Sequence, residues 1–339
     1  MKPFNRRQFL HLAGLGMSAL AVQQLLSACG IKIPEATATQ VLPPAIPPTS
    51  TESSSPTPSE IQSTQTPLAR PDLVIVHGKD PESMVRKGIE AIGGMARFVK
   101  SGANVIIKPN ICVGYHTYEY AATTNPWVVA ALVRLCLEAG ASRVLVMDNP
   151  FGGPADQCYK ISGIAEQVNN AGGEMEVMQP LKFQKTDLPQ GVQQKSLNFY
   201  QDFLSADTII NVPIPKHHSA AGLTLGMKNL MGTIQQREFI HNNLHESIVD
   251  LVTLVKPTLT VIDAVRILMA NGPTGGNLND VKETDTIAIS TDIVAADSYG
   301  TSLFGKTPAD IGYVQKAIDR GIGIGDLSLL KLQEFNADA

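Results

Sequence analysis

The sequence predicts an α/β fold: a mostly parallel sheet covered by helices on both faces, with loop insertions. Two observations predict it. From Asp72 onward, short β-branched runs alternate with longer helical stretches, the pattern of strands joined by crossover helices. Polar clusters also recur just after the predicted strands, at the edge where an open parallel sheet forms its ligand crevice.

The predicted strands are Leu73–Val76, Asn104–Ile107, Arg143–Met147, Glu174–Met178, Thr208–Val212, Leu259–Ile262 and Thr286–Ser290. Between them lie predicted helices at Pro81–Val99, Pro126–Ala139, Ala155–Asn170, Leu244–Val255 and Ile293–Leu303. Asn125-Pro126 reads as a helix start, an Asn cap followed by Pro at the first helical position. Gly140 reads as the stop of that helix, and Gly172-Gly173 as the stop of the next. No second linker interrupts residues 71–339, so one domain with insertions is expected.

Ahead of that domain, residues 1–28 read as an export signal. Lys2, Arg6 and Arg7 precede an apolar stretch from Phe9 to Leu26, and Leu26-Ser27-Ala28-Cys29 follows. A basic start, an apolar middle and a small-residue cleavage site define such a signal. Asn5-Arg6-Arg7-Gln8-Phe9-Leu10 resembles a twin-arginine signal, and Leu26-Ser27-Ala28-Cys29 resembles a lipobox. The expected protein is therefore a bacterial or archaeal lipoprotein. It passes through the twin-arginine translocase, is matured by lipoprotein-processing enzymes, and is held on the outer side of the cell membrane by lipid on Cys29. Residues 29–70, rich in Pro, Ser and Thr, cannot bury enough apolar surface to order themselves and read as a tether.

Composition narrows the function. The net charge is −4 and charged residues make up 17%, so no basic surface points to nucleic acid. Besides Cys29 there are Cys112, Cys136 and Cys158, without Cys-x-x-Cys spacing, which argues against a disulfide framework and an iron–sulfur cluster. Gly-x-Ser-x-Gly, the Walker loop and His-Glu-x-x-His are absent.

The polar clusters supply the candidate residues. Lys108-Pro109-Asn110 follows the second strand, where Lys108 can bind a phosphate or carboxylate or pair with a buried acid such as Asp148. Thr123 and Thr124 precede a helix start, a place for anion binding or for simple capping. Lys216, His217 and His218 follow the fifth strand. His241 and His245 stand four apart, but Asn242-Asn243 between them resembles a cap. A divalent metal held by His218 and His241 with Asp148, Asp263 or Asp297 stays open. Lys228 and Asn229 lie in a segment bracketed by Gly226 and Gly232, whose glycines let backbone approach a ligand. Arg237 is a further anion-binding candidate. Cys112 reads as a buried, inert thiol rather than a reactive one.

These landmarks line up with a known family. Ile106-Ile107-Lys108-Pro109-Asn110, Ala122-Thr123-Thr124-Asn125-Pro126 and Met147-Asp148-Asn149 resemble the domain-of-unknown-function 362 (DUF362) family. So do Asn211-Val212-Pro213, Pro215-Lys216-His217-His218 and Leu225-Gly226-Met227-Lys228-Asn229-Leu230-Met231-Gly232, followed by Val261-Ile262-Asp263-Ala264 and Asp292 with Asp297. The resemblance covers residues 71 to about 315. It implies no agreed activity, and the iron–sulfur modules of some members have no counterpart here.

Three functional expectations follow. In the first, the chain is an enzyme on a small anionic substrate. Lys108, Lys216 and Lys228 bind the anion; Asn110, Thr123, Thr124, Asn229 and Arg237 assist; His217 or His241 moves protons. Both a racemase- or isomerase-like proton transfer and metal-assisted hydrolysis fit that set. In the second, it is a non-catalytic binding lipoprotein. In the third, the His and Asp residues form an internal network that stiffens the fold.

Overall fold

The computed structural model describes residues 70–339. The export signal, Cys29 and nearly all of the tether lie outside the described residues.

Along the chain, β1 (Leu73–His77) leads to α1 (Pro81–Ala91), capped by the Asp80 carboxylate, which accepts from the Ser83 N–H. The sequence predicts one helix as far as Val99. It ends earlier because Gly93 and Gly94 both take positive φ, which a continuing helix does not allow, and only a short 3-10 turn, Met95–Arg97, follows. After β2 (Asn104–Pro109), α2 (Pro126–Glu138) starts where expected, its Asn125 oxygen accepting from the Trp127 N–H. Gly140 stops it at φ 92°.

β3 (Arg143–Val146) precedes α3 (Ala155–Ile161) and α4 (Ile164–Asn170). One helix was expected over 155–170; Gly163 at φ 78° divides it. β4 shrinks to Glu174–Met175. β5 (Phe183–Asp187) and β6 (Ser196–Tyr200) form a separate hairpin, and α5 (Gln201–Ser205) leads into β7 (Thr208–Val212). β8 (Lys216–His218) pairs with β9 (Gly222–Thr224), and the one-turn α6 (Gly226–Asn229) follows. The remaining elements are α7 (Leu244–Leu254), β10 (Leu259–Leu268), β11 (Val281–Ser290), α8 (Ile293–Ser302), α9 (Gly312–Asp319) and β12 (Leu332–Asn336).

The main path of the sheet runs β12-β1-β11-β10-β7-β2-β3-β4. β11 alone runs against its neighbours; every other pairing along the path is parallel. Both faces are covered, and the period-2 alternation of each strand shows how. Val105 and Ile107 of β2, Val144 and Val146 of β3, and Ile210 of β7 join α1, α2 and α4 in one core. Ile106, Leu145 and Ile209, one residue out of phase, join α5, α6, α7 and α9 in the other. The expected fold class is thus the observed one.

Burying such an aliphatic side chain is worth roughly 1.5–3 kcal/mol against leaving it exposed. An exposed pair such as Arg143–Glu174 contributes about 0–1 kcal/mol, so the two cores hold the sheet. No helix among the described residues is long and apolar enough to cross a membrane.

Candidate functional site

The strand ends meet in a buried hydrogen-bonded layer. Lys108, fully buried at the end of β2, donates from Nζ to Asp148 Oδ1 at 2.7 Å, Asn229 Oδ1 at 3.1 Å and the Pro109 carbonyl at 3.1 Å. Burial pulls its pKa below the ordinary lysine value, and the Asp148 charge opposes that. The Asp148 carboxylate also accepts from the Ile111 and Asn149 N–H groups at 2.6 and 2.8 Å.

Lys216, the first residue of β8, is equally buried. Its Nζ donates to Asn110 Oδ1 at 2.7 Å and the Ala122 carbonyl at 2.6 Å, and lies 3.2 Å from Cys112 Sγ. Asn110 Nδ2 donates to Asn229 Oδ1 at 2.9 Å, and Asn229 Nδ2 to Asn211 Oδ1 at 2.8 Å. The chain Lys216–Asn110–Asn229–Lys108–Asp148 is therefore continuous. An ammonium has three donors, and both lysines have all three engaged. A Cβ at Gly232 would collide with Asp148 Oδ1 and Lys108 Nζ, so only glycine fits over this layer.

Two further carboxylates act on backbone. Asp297 of α8 accepts from the first N–H groups of α6, Gly226 at 2.6 Å and Met227 at 2.9 Å. Asn211 Nδ2 donates to the Gly226 carbonyl at 3.0 Å. These contacts fix the single turn that carries Lys228 and Asn229. Burial pushes Asp297 up to about 7, and the two amide donors pull it back. Asp263 sits inside β10, not after it as expected, because that strand runs on to Leu268. It accepts from the Asn125 N–H at 2.6 Å, tying β10 to the start of α2. Burial pushes it up to about 6.

Above the layer opens a cavity of about 760 Å³, a volume suited to a metabolite. Asn110, Asp148 and Asn229 line its base; Cys112, Phe151, Met231 and Pro273 supply less polar wall. Lys228 projects from α6 into this lining and, among the described residues, makes no hydrogen bond or ion pair. Burial, then the Lys216 charge, lowers its pKa to about 7. Arg237 also lines the cavity. It has no carboxylate partner among the described residues, and its one hydrogen bond runs from Nη2 to the Pro150 carbonyl at 3.2 Å. Its guanidinium lies 6.0 Å from the Phe151 ring centroid.

The two cavity histidines are complementary. His218 Nδ1 accepts from the Ala220 and Ala221 N–H groups at 3.2 and 3.3 Å, so the neutral ring carries its proton on Nε2. Burial and the Lys228 charge push its pKa down to about 3, so it is a neutral donor across the physiological range. His241, at the exposed rim, holds Nδ1 2.9 Å from the Arg237 carbonyl. That nitrogen donates, so in the neutral ring Nε2 is the acceptor.

The structure thus gathers Lys108, Asn110, Asp148, Lys216, Lys228, Asn229, Arg237, His218 and His241 into one region, and divides their roles. Lys108 and Lys216, expected to bind the anion, have no free N–H for it and set the charge beneath the cavity. His217 does not line the cavity. β8 turns successive side chains to opposite faces, so Lys216 and His218 share one face, and His217 Nδ1 instead accepts from the Gly272 N–H at 3.2 Å. Thr124 is consumed internally, accepting from the Asn110 N–H and donating to the Val212 carbonyl, both at 2.8 Å. Thr123 is buried outside the cavity lining.

The expected metal set of His218, His241, Asp148, Asp263 and Asp297 is dispersed. The three carboxylates are occupied by Lys108 and backbone amides, and no group of three or more His, Cys, Asp or Glu able to hold a metal ion is found among the described residues. His241 and His245 do not act as a pair on one helix face, because His241 lies in the 3-10 segment Arg237–Asn243 while His245 belongs to α7 and stacks on Tyr313.

Sequence reasoning missed Asn211, Gly232 as the lid of the buried layer, and the cavity wall. Asn211 carried a signal, an amide inside an otherwise apolar strand. Phe151 carried none, and Met231 only its place in the run from Leu225 to Gly232.

A family model described as Domain of unknown function (DUF362) matches residues 105–302, from β2 through α8. The thylakoid-associated protein sll1697 of Synechocystis sp. is 30% identical over an alignment of 242 residues that covers 67% of this chain and 71% of that protein. Among solved structures, the lactate racemase apoprotein from Thermoanaerobacterium thermosaccharolyticum aligns with a TM-score of 0.46 at 14% identity, covering 68% of this chain and 56% of that chain.

Proposed function

The chain belongs to the DUF362 family, and on that premise we propose that its cavity is the active site of an enzyme acting on a small organic anion. The observation that carries the proposal is Lys228. Burying a charge without a partner is costly, so a half-buried amine facing an open cavity takes its partner from a ligand. Arg237 adds a planar cation with free donors suited to a carboxylate. Of the two carboxylates in the lining, Asp148 is already neutralised by Lys108, and Glu238 is exposed and forms no ion pair among the described residues. At neutral pH a large share of Lys228 is the free amine, able to take a proton from substrate. The His218 Nε2–H offers a hydrogen bond to developing oxygen charge, and His241 Nε2 offers an acceptor at the mouth.

Replacing Arg237 by Met is expected to weaken binding of small carboxylates. A charge-assisted hydrogen bond is worth about 1.5–3 kcal/mol, so calorimetric affinity for propionate or glutarate should fall roughly 10- to 150-fold. Unchanged affinity in both Arg237→Met and Lys228→Met would sink this reading of the cavity.

We propose further that the enzyme works outside the cytoplasm, exported by the twin-arginine route and anchored through lipid on Cys29. The basic start, apolar stretch and lipobox support this, and the Synechocystis relative is named as thylakoid-associated. Cys29→Ser, expressed in a bacterial host with its own lipoprotein machinery, should leave the membrane fraction for the soluble one. A variant that still sediments with membranes would overturn the anchoring.

A further inference from the structure

We infer that Lys228 captures carbonyl groups: its amine condenses with the carbonyl carbon of a small carboxylate-bearing ketone or aldehyde, of which 2-oxo carboxylates are the simplest, to form an imine. The inference rests on the anion-binding reading of the same cavity and narrows it to a substrate class.

Four observations on the molecule support it. Lys228 is the one lysine of the cluster with nothing bound to Nζ among the described residues, whereas Lys108 and Lys216 have every donor engaged. Its surroundings favour the neutral, nucleophilic amine. Lys216 and Arg237 stand around the same cavity, and the Asp148 oxygens are taken by Lys108 and two backbone N–H groups. Desolvation beside another cation is a general way to activate a lysine towards carbonyl compounds. The groups that complete the reaction are also present. The Arg237 guanidinium can hold the carboxylate, and the His218 Nε2–H can donate to the carbonyl oxygen, since its Nδ1 is held as an acceptor by Ala220 and Ala221. Finally, the turn bearing Lys228 is fastened on both sides by Asp297 and Asn211, so the amine is presented from a fixed base.

The step balances without any oxidant or reductant. The Nζ lone pair adds to the carbonyl carbon, and the carbonyl oxygen takes up the proton that nitrogen gives up. The carbinolamine then expels water as its C–O bond breaks and the C=N bond forms. Protonated, the imine withdraws electrons from the neighbouring carbon, so a proton can leave there while its C–H pair becomes the enamine C=C bond and the C=N pair moves onto nitrogen. The His241 Nε2 lone pair is placed at the mouth to receive a proton. Water returning to the C=N bond frees the lysine.

The test uses the full chain with pyruvate, 2-oxobutyrate or 2-oxoglutarate, reduced with sodium borohydride at neutral pH and read by intact mass and peptide mapping. Propionate and glutarate, of like charge but without a carbonyl, are followed in parallel by thermal shift. The expected result is one reduced adduct per chain, mapped to Lys228, absent in Lys228→Arg and suppressed by propionate or glutarate. If the carbonyl-free acids raise the melting temperature through Arg237 while adducts are missing or scattered over exposed lysines, the imine is wrong and the anion site stands. If neither the carbonyl-free acids nor the 2-oxo acids shift the melting temperature and no adduct forms, both readings fall.

Discussion

Replacing Asp148 by Ala is expected to destabilise the domain by about 3–5 kcal/mol, the usual cost of leaving one partner of a buried ion pair behind. Lys108 is fully buried and its closest anionic contact is Asp148 Oδ1 at 2.7 Å. The same substitution strips acceptors from the Ile111 and Asn149 N–H groups. For a domain of this size the loss corresponds to a drop in melting temperature of roughly 6–20 °C, measurable by thermal or urea unfolding. Lys108→Met combined with Asp148→Asn removes the stranded charge and keeps one amide acceptor, so the double variant should recover more than half of the loss. If Lys108→Met gives no relief, the backbone amides rather than the ammonium carry the effect.

Lys228→Met should move stability the other way. The lysine's pKa is about 7 in the folded protein against an ordinary value of 10.5. Between those two pH values the unfolded chain binds a proton that the folded chain rejects. The contribution of Lys228 to stability therefore declines as pH falls from 10.5 towards 7, and it stays at its lowest below 7. Burial, Lys216 and Arg237 depress the value, and Cys112 opposes them. Removing the amine lifts this penalty, so the Met variant should melt above the parent below pH 7 and converge with it in alkali. Turnover should move oppositely, falling about 10²–10⁴-fold as expected on losing a group that handles the proton. In the parent, turnover should rise as pH passes upward through about 7. A Met variant no more stable at pH 6 than the parent would mean that Lys228 is ordinarily charged and solvated. Stability given up for activity in this way is a common feature of reactive sites.

Much of the fold is legible in the sequence because strands covered on both faces are nearly continuous apolar runs, as β2, β3, β7 and the end of β11 are. β5 and β6 escape notice for the opposite reason: in Phe183–Asp187 only Phe183 is an apolar side chain packed on the core, so the segment reads as polar loop. α6, a four-residue turn, is too short for any helical period, and it is held by Asp297 from a distant part of the chain.

The site is legible as a set of residues but not as a set of roles. Lys108, Lys216 and Lys228 look alike in sequence. What separates them is how many of their N–H bonds are already engaged, and those acceptors come from positions up to 121 residues away. Asp263 and Asp297 look like ligands and prove to be fasteners of backbone. His217 and His218 are told apart only once Lys216–His218 is known to be a strand.

The pairing of β1 has a consequence for how the protein comes into being. Its two neighbours in the sheet are β11 and β12, with Leu73 opposite Ser290 on one side and Leu332 on the other. During synthesis, the strand that opens the described domain has no partner in the sheet until β11, Val281–Ser290, has been made. Contacts spanning so much chain close late. β1 therefore gains β11 first and is joined on its other edge only once β12, the last of the described strands, has been made.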